Sequence, residues 1–101
     1  MKELKIFYLE NCPYCRKAMA ALKELKTENP DFEMVGIEWI EETRFPEIAD
    51  RFDYYRVPSI YSGDDKLYEC RPGDDYDEIK RRIENALTTA MEEMKRPVNK
   101  L

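Results

Sequence analysis

A short apolar run that ends in a pair of thiols, and then turns at once into a helical pattern, constrains this chain most. Leu4-Lys5-Ile6-Phe7-Tyr8-Leu9 is rich in β-favouring residues and reads as a buried strand. Asn11-Cys12-Pro13-Tyr14-Cys15 follows. From Pro13 to about Glu28, Ala18/Met19, Leu22 and Leu25 recur at helical spacing, with Lys17, Lys23, Glu24 and Lys26 around the other face. Pro13 falls in the first turn, where its missing N–H costs nothing. Asn29-Pro30-Asp31 ends the helix. The stretch from Phe32 to Ile40 alternates in part and reads as a second strand. Strand, helix, strand in this order predicts two parallel strands joined by a right-handed crossover.

The remaining chain extends that unit. A second helix is expected from about Pro46 to Asp53, starting as early as Thr43, with Phe45, Ile48, Ala49 and Phe52 on its apolar face. Ile60-Tyr61 and Leu67-Tyr68 are short strands around the turn Ser62-Gly63-Asp64-Asp65. Pro72-Gly73 breaks the last strand, and Asp74 or Asp75 caps a final helix. That helix carries Tyr76, Ile79, Ile83, Ala86/Leu87, Ala90 and Met94 on one side, and Arg96-Pro97 stops it ahead of a frayed end. The order β-α-β-α-β-β-α predicts one α/β domain over residues 1–101, a four-stranded mixed sheet with helices on both faces.

The placement of the thiols gives them different chemistry. Cys12 falls at the cap of the first long helix, beside orphan backbone N–H groups and the positive end of the helix dipole. Both stabilise a thiolate, and Arg16 and Lys17 add positive charge nearby. Cys12 is thus the expected exposed, attacking thiol, and Cys15, three residues on, the resolving one. A zinc or iron–sulfur half-site is the competing reading of a CxxC. A closed structural zinc site wants four ligands, and beyond this pair the chain offers only Cys70 and no histidine. No resident metal is expected.

Composition removes other classes. With 43% hydrophobic and 39% charged residues and no long apolar run, the chain is neither a disordered tail nor a membrane span. A net charge of -5 without a basic cluster speaks against nucleic acid. The absence of histidine excludes imidazole bases and Cys-His nucleophile pairs. The N-terminus lacks the long apolar region of a secretory signal, so a cytoplasmic setting is expected. There thiols stay reduced, and a close cysteine pair reads as catalytic. Cys70 reads as a small buried hydrophobe, with a third redox thiol or a glutathionylation site as the alternative. Pro58, read alone, is an ordinary trans proline, since only about 5% of such bonds are cis.

Cys12-Pro13-Tyr14-Cys15 after the first strand, Val57-Pro58 before the third and Gly73-Asp74-Asp75 at the last helix resemble the glutaredoxins of the thioredoxin superfamily. The likeness runs to about Leu87. It implies a thioredoxin fold and a cis Pro58 packed against the thiol pair. It also implies that the Val57 backbone pairs with glutathione or a peptide, that Asp74 and Asp75 meet the ammonium end of glutathione, and that Tyr14 lines the site. Two positions depart from the family's pattern. Leu9 stands where the family usually has a lysine that contacts a glutathione carboxylate, and Arg71-Pro72-Gly73 replaces the usual glycine pair. Arg56, Arg16 or Arg71 would supply the missing charge.

The expected function is therefore a monomeric thiol–disulfide oxidoreductase acting on protein or glutathione mixed disulfides. It needs no permanently bound cofactor, takes glutathione as a co-substrate, and is restored by glutathione or by a thioredoxin reductase. Two alternatives come from other classes. One is a glutathione-assisted [2Fe–2S] carrier formed by two protomers. The other is a redox-inert binding module of the same fold.

Overall fold

The computed structural model describes residues 3–95, so the expected stop at Arg96-Pro97 and the frayed end beyond it lie outside the described residues. The elements are β1 (Glu3–Tyr8), α1 (Pro13–Glu28), a 3-10 turn (Pro30–Met34), β2 (Gly36–Glu41), α2 (Pro46–Ala49), β3 (Ser59–Ser62), β4 (Asp65–Glu69) and α3 (Tyr76–Lys95). The sheet order is β2-β1-β3-β4. β1 and β2 are parallel, with Leu4 opposite Ile37 and Ile6 opposite Trp39, as a strand–helix–strand unit requires. β3 runs antiparallel to both β1 and β4.

The sheet separates two cores because strand side chains alternate. Leu4, Ile6 and Ile60 face α1 and α3, where they meet Ala18, Leu22, Leu25, Ile79, Ile83 and Leu87. Each fully buried leucine or isoleucine here stabilises the fold by about 1.5–3 kcal/mol. Phe7, Ile40 and Tyr61 face the other way, onto Ala49 and the partly buried Ile48, Phe52, Tyr54 and Val57. This second core is a nest of rings: Phe7 lies 4.9 Å from both Phe52 and Tyr54, and Phe52 lies 4.8 Å from Tyr61. Aromatic pairs at such spacing add about 0.5–1.5 kcal/mol beyond burial.

α1 occupies the expected span. Pro13 sits in its first turn, and Cys12 caps it with an extended backbone. Met19 is the exception on its apolar face, at 39% exposed, while Ala21 is fully buried instead. α3 buries the expected Ile79, Ile83, Ala86, Leu87 and Ala90. The two helices are tied at the surface by Lys80, which reaches Glu24 and Glu28 at 2.9 Å each, and by the Tyr76 hydroxyl on Glu24.

Three expectations need correction. Residues 32–34 belong to a 3-10 turn (Pro30–Met34) rather than to the start of the second strand. Pro30 fixes φ, Asn29 accepts the Asp31 N–H, and Phe32 turns into the α1/α3 core. The second helix has four residues rather than about eight. After Ala49 its bonds tighten to Arg51 N–H on Ile48 and Phe52 N–H on Ala49, which swings the Phe52 ring onto Phe7. Phe45 is 44% exposed and not part of its buried face. The hairpin is tighter than expected: Ser62 pairs directly with Asp65, leaving a two-residue loop with Gly63 at φ 60°, a value glycine adopts without strain.

Candidate active site

Three chain segments meet at one end of the sheet. The first is the start of α1. Cys12 is half-buried, its N–H donates to the Leu9 carbonyl at 3.3 Å, and its own carbonyl accepts the Arg16 N–H at 3.0 Å. No side chain caps α1, so the first-turn N–H groups stay oriented toward the Cys12 end. Cys15 lies one turn inside the helix and is 1% exposed. Burial pushes its thiol from the ordinary 9.0 up to about 12, and the neighbouring Cys12 adds to the rise. The two thiols are thus unequal in the expected sense of exposure: one meets solvent and one does not.

The second segment is the turn into β3. The Val57–Pro58 bond is cis, as the family resemblance implied and residue statistics alone did not. The Cys12 thiol points at the Val57 carbonyl, 3.9 Å away. Pro58 is fully buried, and its carbonyl accepts the N–H of Cys70 at 3.0 Å. Cys70 follows the last residue of β4 and is 2% exposed, and burial raises its thiol above the ordinary range. It therefore stands behind the cis-proline as a small buried side chain.

The third segment is the start of α3. Gly73 has φ 92°, and its N–H donates to the Tyr14 hydroxyl at 3.0 Å, joining the α1 and α3 ends. Asp74 folds the preceding turn: its Oδ2 accepts the Tyr68 hydroxyl at 2.7 Å and the Arg71 N–H at 3.0 Å. Asp75 is the cap of α3, its Oδ1 accepting the Glu78 N–H at 2.9 Å. Each carboxylate keeps its second oxygen without a hydrogen bond among the described residues.

Cys12, Tyr14, Val57, Pro58, Asp74 and Asp75 are therefore brought to one end of the molecule. Arg16 is exposed on α1, and its guanidinium makes no hydrogen bond or ion pair among the described residues. Lys17 instead sits 5.5 Å over the Tyr14 ring. A cleft of about 620 Å³ opens beside the site, lined by Arg56, Arg71, Tyr68, Cys70, Asp74 and Arg82 among others. Arg56 and Arg71 have no side-chain partner among the described residues. No group of three metal-ligating side chains occurs among the described residues, and no described helix is long and apolar enough to cross a membrane.

Solved structures share this architecture. Thioredoxin O1 from Arabidopsis thaliana in its oxidized state matches with a TM-score of 0.56 at 20% identity, over 84% of this chain and 77% of that one. Thioredoxin 1 from the thermophilic eubacterium Thermosipho africanus matches with a TM-score of 0.54 at 19% identity, over 88% and 98%. A mutant thioredoxin from Halobacterium salinarum matches with a TM-score of 0.53 at 19% identity, over 82% and 72%. The sheet order and these likenesses define a thioredoxin-fold protein. The sequence profile of the family described as "Glutathione S-transferase, N-terminal domain" matches residues 6–72. The chain belongs to that family. No curated protein matches the sequence.

Two residues of the site region escaped sequence reasoning, Ser59 and Glu69. Both are polar residues at strand ends, Ser59 at the start of β3 and Glu69 at the end of β4. Only the β3/β4 register, which sets them opposite each other, brings them under the loop that carries Val57.

Proposed function

We propose that this chain is a dithiol thiol–disulfide oxidoreductase of glutaredoxin-like type, working through Cys12 and Cys15. The observation that carries the reading is the unequal pair: a half-exposed Cys12 at the cap of α1, facing the Val57 carbonyl, above a Cys15 that is 1% exposed. The Cys12 thiolate attacks one sulfur of a substrate disulfide, and the other substrate sulfur leaves as a thiolate. Cys15 then attacks the Cys12 sulfur, its proton passing to the departing substrate thiolate. The second substrate thiolate leaves, and the Cys12–Cys15 disulfide holds the oxidising equivalent. Two electrons pass from the cysteine pair to the substrate, and an external thiol returns them.

Substrate backbone pairs with Val57, Tyr14 lines the approach, and the second oxygens of Asp74 and Asp75 face an ammonium group. Arg56, Arg16 or Arg71 offers the cation that Leu9 does not. The name of the family favours glutathione as the small thiol, used as co-substrate and not as a resident group. The protein acts as a cytoplasmic monomer, with disulfide-bearing proteins or glutathione mixed disulfides as its partners.

Cys12→Ser abolishes reduction of a mixed disulfide, and Cys15→Ser traps a covalent Cys12 adduct visible by intact mass. Full dithiol activity in Cys12→Ser protein overturns the assignment. Regeneration by glutathione alone, compared with regeneration by a thioredoxin reductase, identifies the reductant.

A further inference from the structure

The loop that presents Val57 is held at both ends by the ring core and in the middle by something else. Tyr54 and Val57 pack against the second core, and the Tyr54 hydroxyl reaches Glu42 at 2.7 Å. Between them, Tyr55 is 88% exposed and Arg56 is exposed, so side-chain packing does not fix this part of the backbone. Glu69 does. Its Oε2 accepts two consecutive N–H groups, from Tyr55 at 2.7 Å and Arg56 at 2.8 Å. From the other side the fully buried Ser59 hydroxyl donates to the Arg56 carbonyl. Ser59 and Glu69 are register partners on β3 and β4. One cross-strand pair thus grips both polar groups of a single residue's backbone.

From this geometry we infer that Glu69 and Ser59 are positioning residues for substrate. They act through the Arg56 backbone to fix the Val57 peptide group that the Cys12 thiol faces. The inference deepens the proposed thiol–disulfide reading and rests on it for its catalytic consequence. Hydrogen bonds to a carboxylate are the strong kind, and one carboxylate oxygen accepting two adjacent amides also sets direction. The bland alternative is that Glu69 merely pairs with Lys66, whose ammonium lies 2.7 Å from Oε1. The two oxygens divide the work: Oε1 serves Lys66, and Oε2 serves the loop alone.

Substrate capture needs the Val57 peptide in place, whereas the Cys12 sulfur does not touch Glu69. Loosening the clamp therefore weakens binding without changing the thiol. In Glu69→Ala, KM for a peptide mixed disulfide rises about tenfold while kcat and the alkylation rate of Cys12 stay within about twofold. Hydrogen exchange at the Tyr55 and Arg56 amides speeds about tenfold or more, and at β1 amides it does not change. Glu69→Gln keeps an acceptor oxygen and falls between Ala and wild type, which serves if the alanine variant folds poorly. Lys66→Met removes the ion pair and leaves KM and exchange as in wild type.

Unchanged exchange at the two amides in Glu69→Ala overturns the clamp. So does an unchanged KM in an active enzyme, or an equal effect of Lys66→Met. The exchange measurement needs no activity. A chain without reductase activity would sink the thiol–disulfide reading, while the exchange ratio still decides the clamp.

Discussion

Replacing Tyr68 by phenylalanine removes one oxygen from a position that is 6% exposed and leaves the ring packed against the α1/α3 core. That oxygen donates to Asp74 Oδ2 at 2.7 Å. Burial first, and the Asp74 carboxylate second, raise the phenol above the ordinary tyrosine range, so it remains a donor throughout the working pH range. A hydrogen bond to a charged group contributes about 1.5–3 kcal/mol. Asp74 keeps the Arg71 N–H and is only half-buried, so water replaces part of what is lost. The expected loss in Tyr68→Phe is therefore near the lower bound, about 1.5 kcal/mol. For a chain of this size that lowers Tm by about 6–12 °C. Denaturant unfolding is expected to show a lower midpoint at constant slope, because the exposed surface hardly changes. A cycle with Asp74→Ala isolates the bond: the double variant is less destabilised than the sum by about the same 1.5 kcal/mol. A loss below about 0.5 kcal/mol, or strict additivity in the cycle, refutes the reasoning.

The buried Cys15 thiol gives an alkaline signature. Its folded value, pushed by burial to about 12 from 9.0, favours the neutral form in the fold, so this stabilisation is complete below pH 9.0 and fades as pH rises toward 12. Cys15→Ala protein should lack that component of the alkaline decline in stability, and an unchanged profile counts against the assignment. Glu41 gives the acid counterpart. It is 5% exposed, and the Thr43 hydroxyl first, with backbone N–H groups of Thr43, Glu10 and Arg44, holds its carboxyl below the usual 4.5. Its stabilisation is present above pH 4.5 and lost as pH falls through the lower folded value, so Thr43→Ala should move the midpoint of acid unfolding upward.

Strong period and local punctuation made much of the fold readable. α1 could be placed from Pro13 to Glu28 because a proline at its start and Asn29-Pro30 at its end bracket an apolar face of helical spacing. α3 was legible for the same reason, and the hairpin because Gly63 marks it. Phe32 misled because a lone buried ring looks the same in a strand and in a turn. The second helix was overdrawn because Phe52 keeps helical spacing while the backbone has already tightened. At the site, the thiol pair was visible in four residues. The cis bond at Pro58 came from family resemblance and not from its own composition. The Tyr14–Gly73 bond and the grip of Glu69 on Arg56 join residues far apart in sequence. Contacts of that kind depend on register and helix placement, which no local pattern encodes.

The uneven burial of the three cysteines turns the protein into its own gauge of opening. In the reduced fold a thiol-reactive dye finds Cys12, while Cys15 and Cys70, at 1% and 2% exposed, are screened by the core. The first label therefore reports the reactive end, and the second and third report excursions that uncover the interior. Because Cys15 sits on the buried side of the first turn of α1 and Cys70 behind the cis-proline, each late label times a different part of the molecule coming apart.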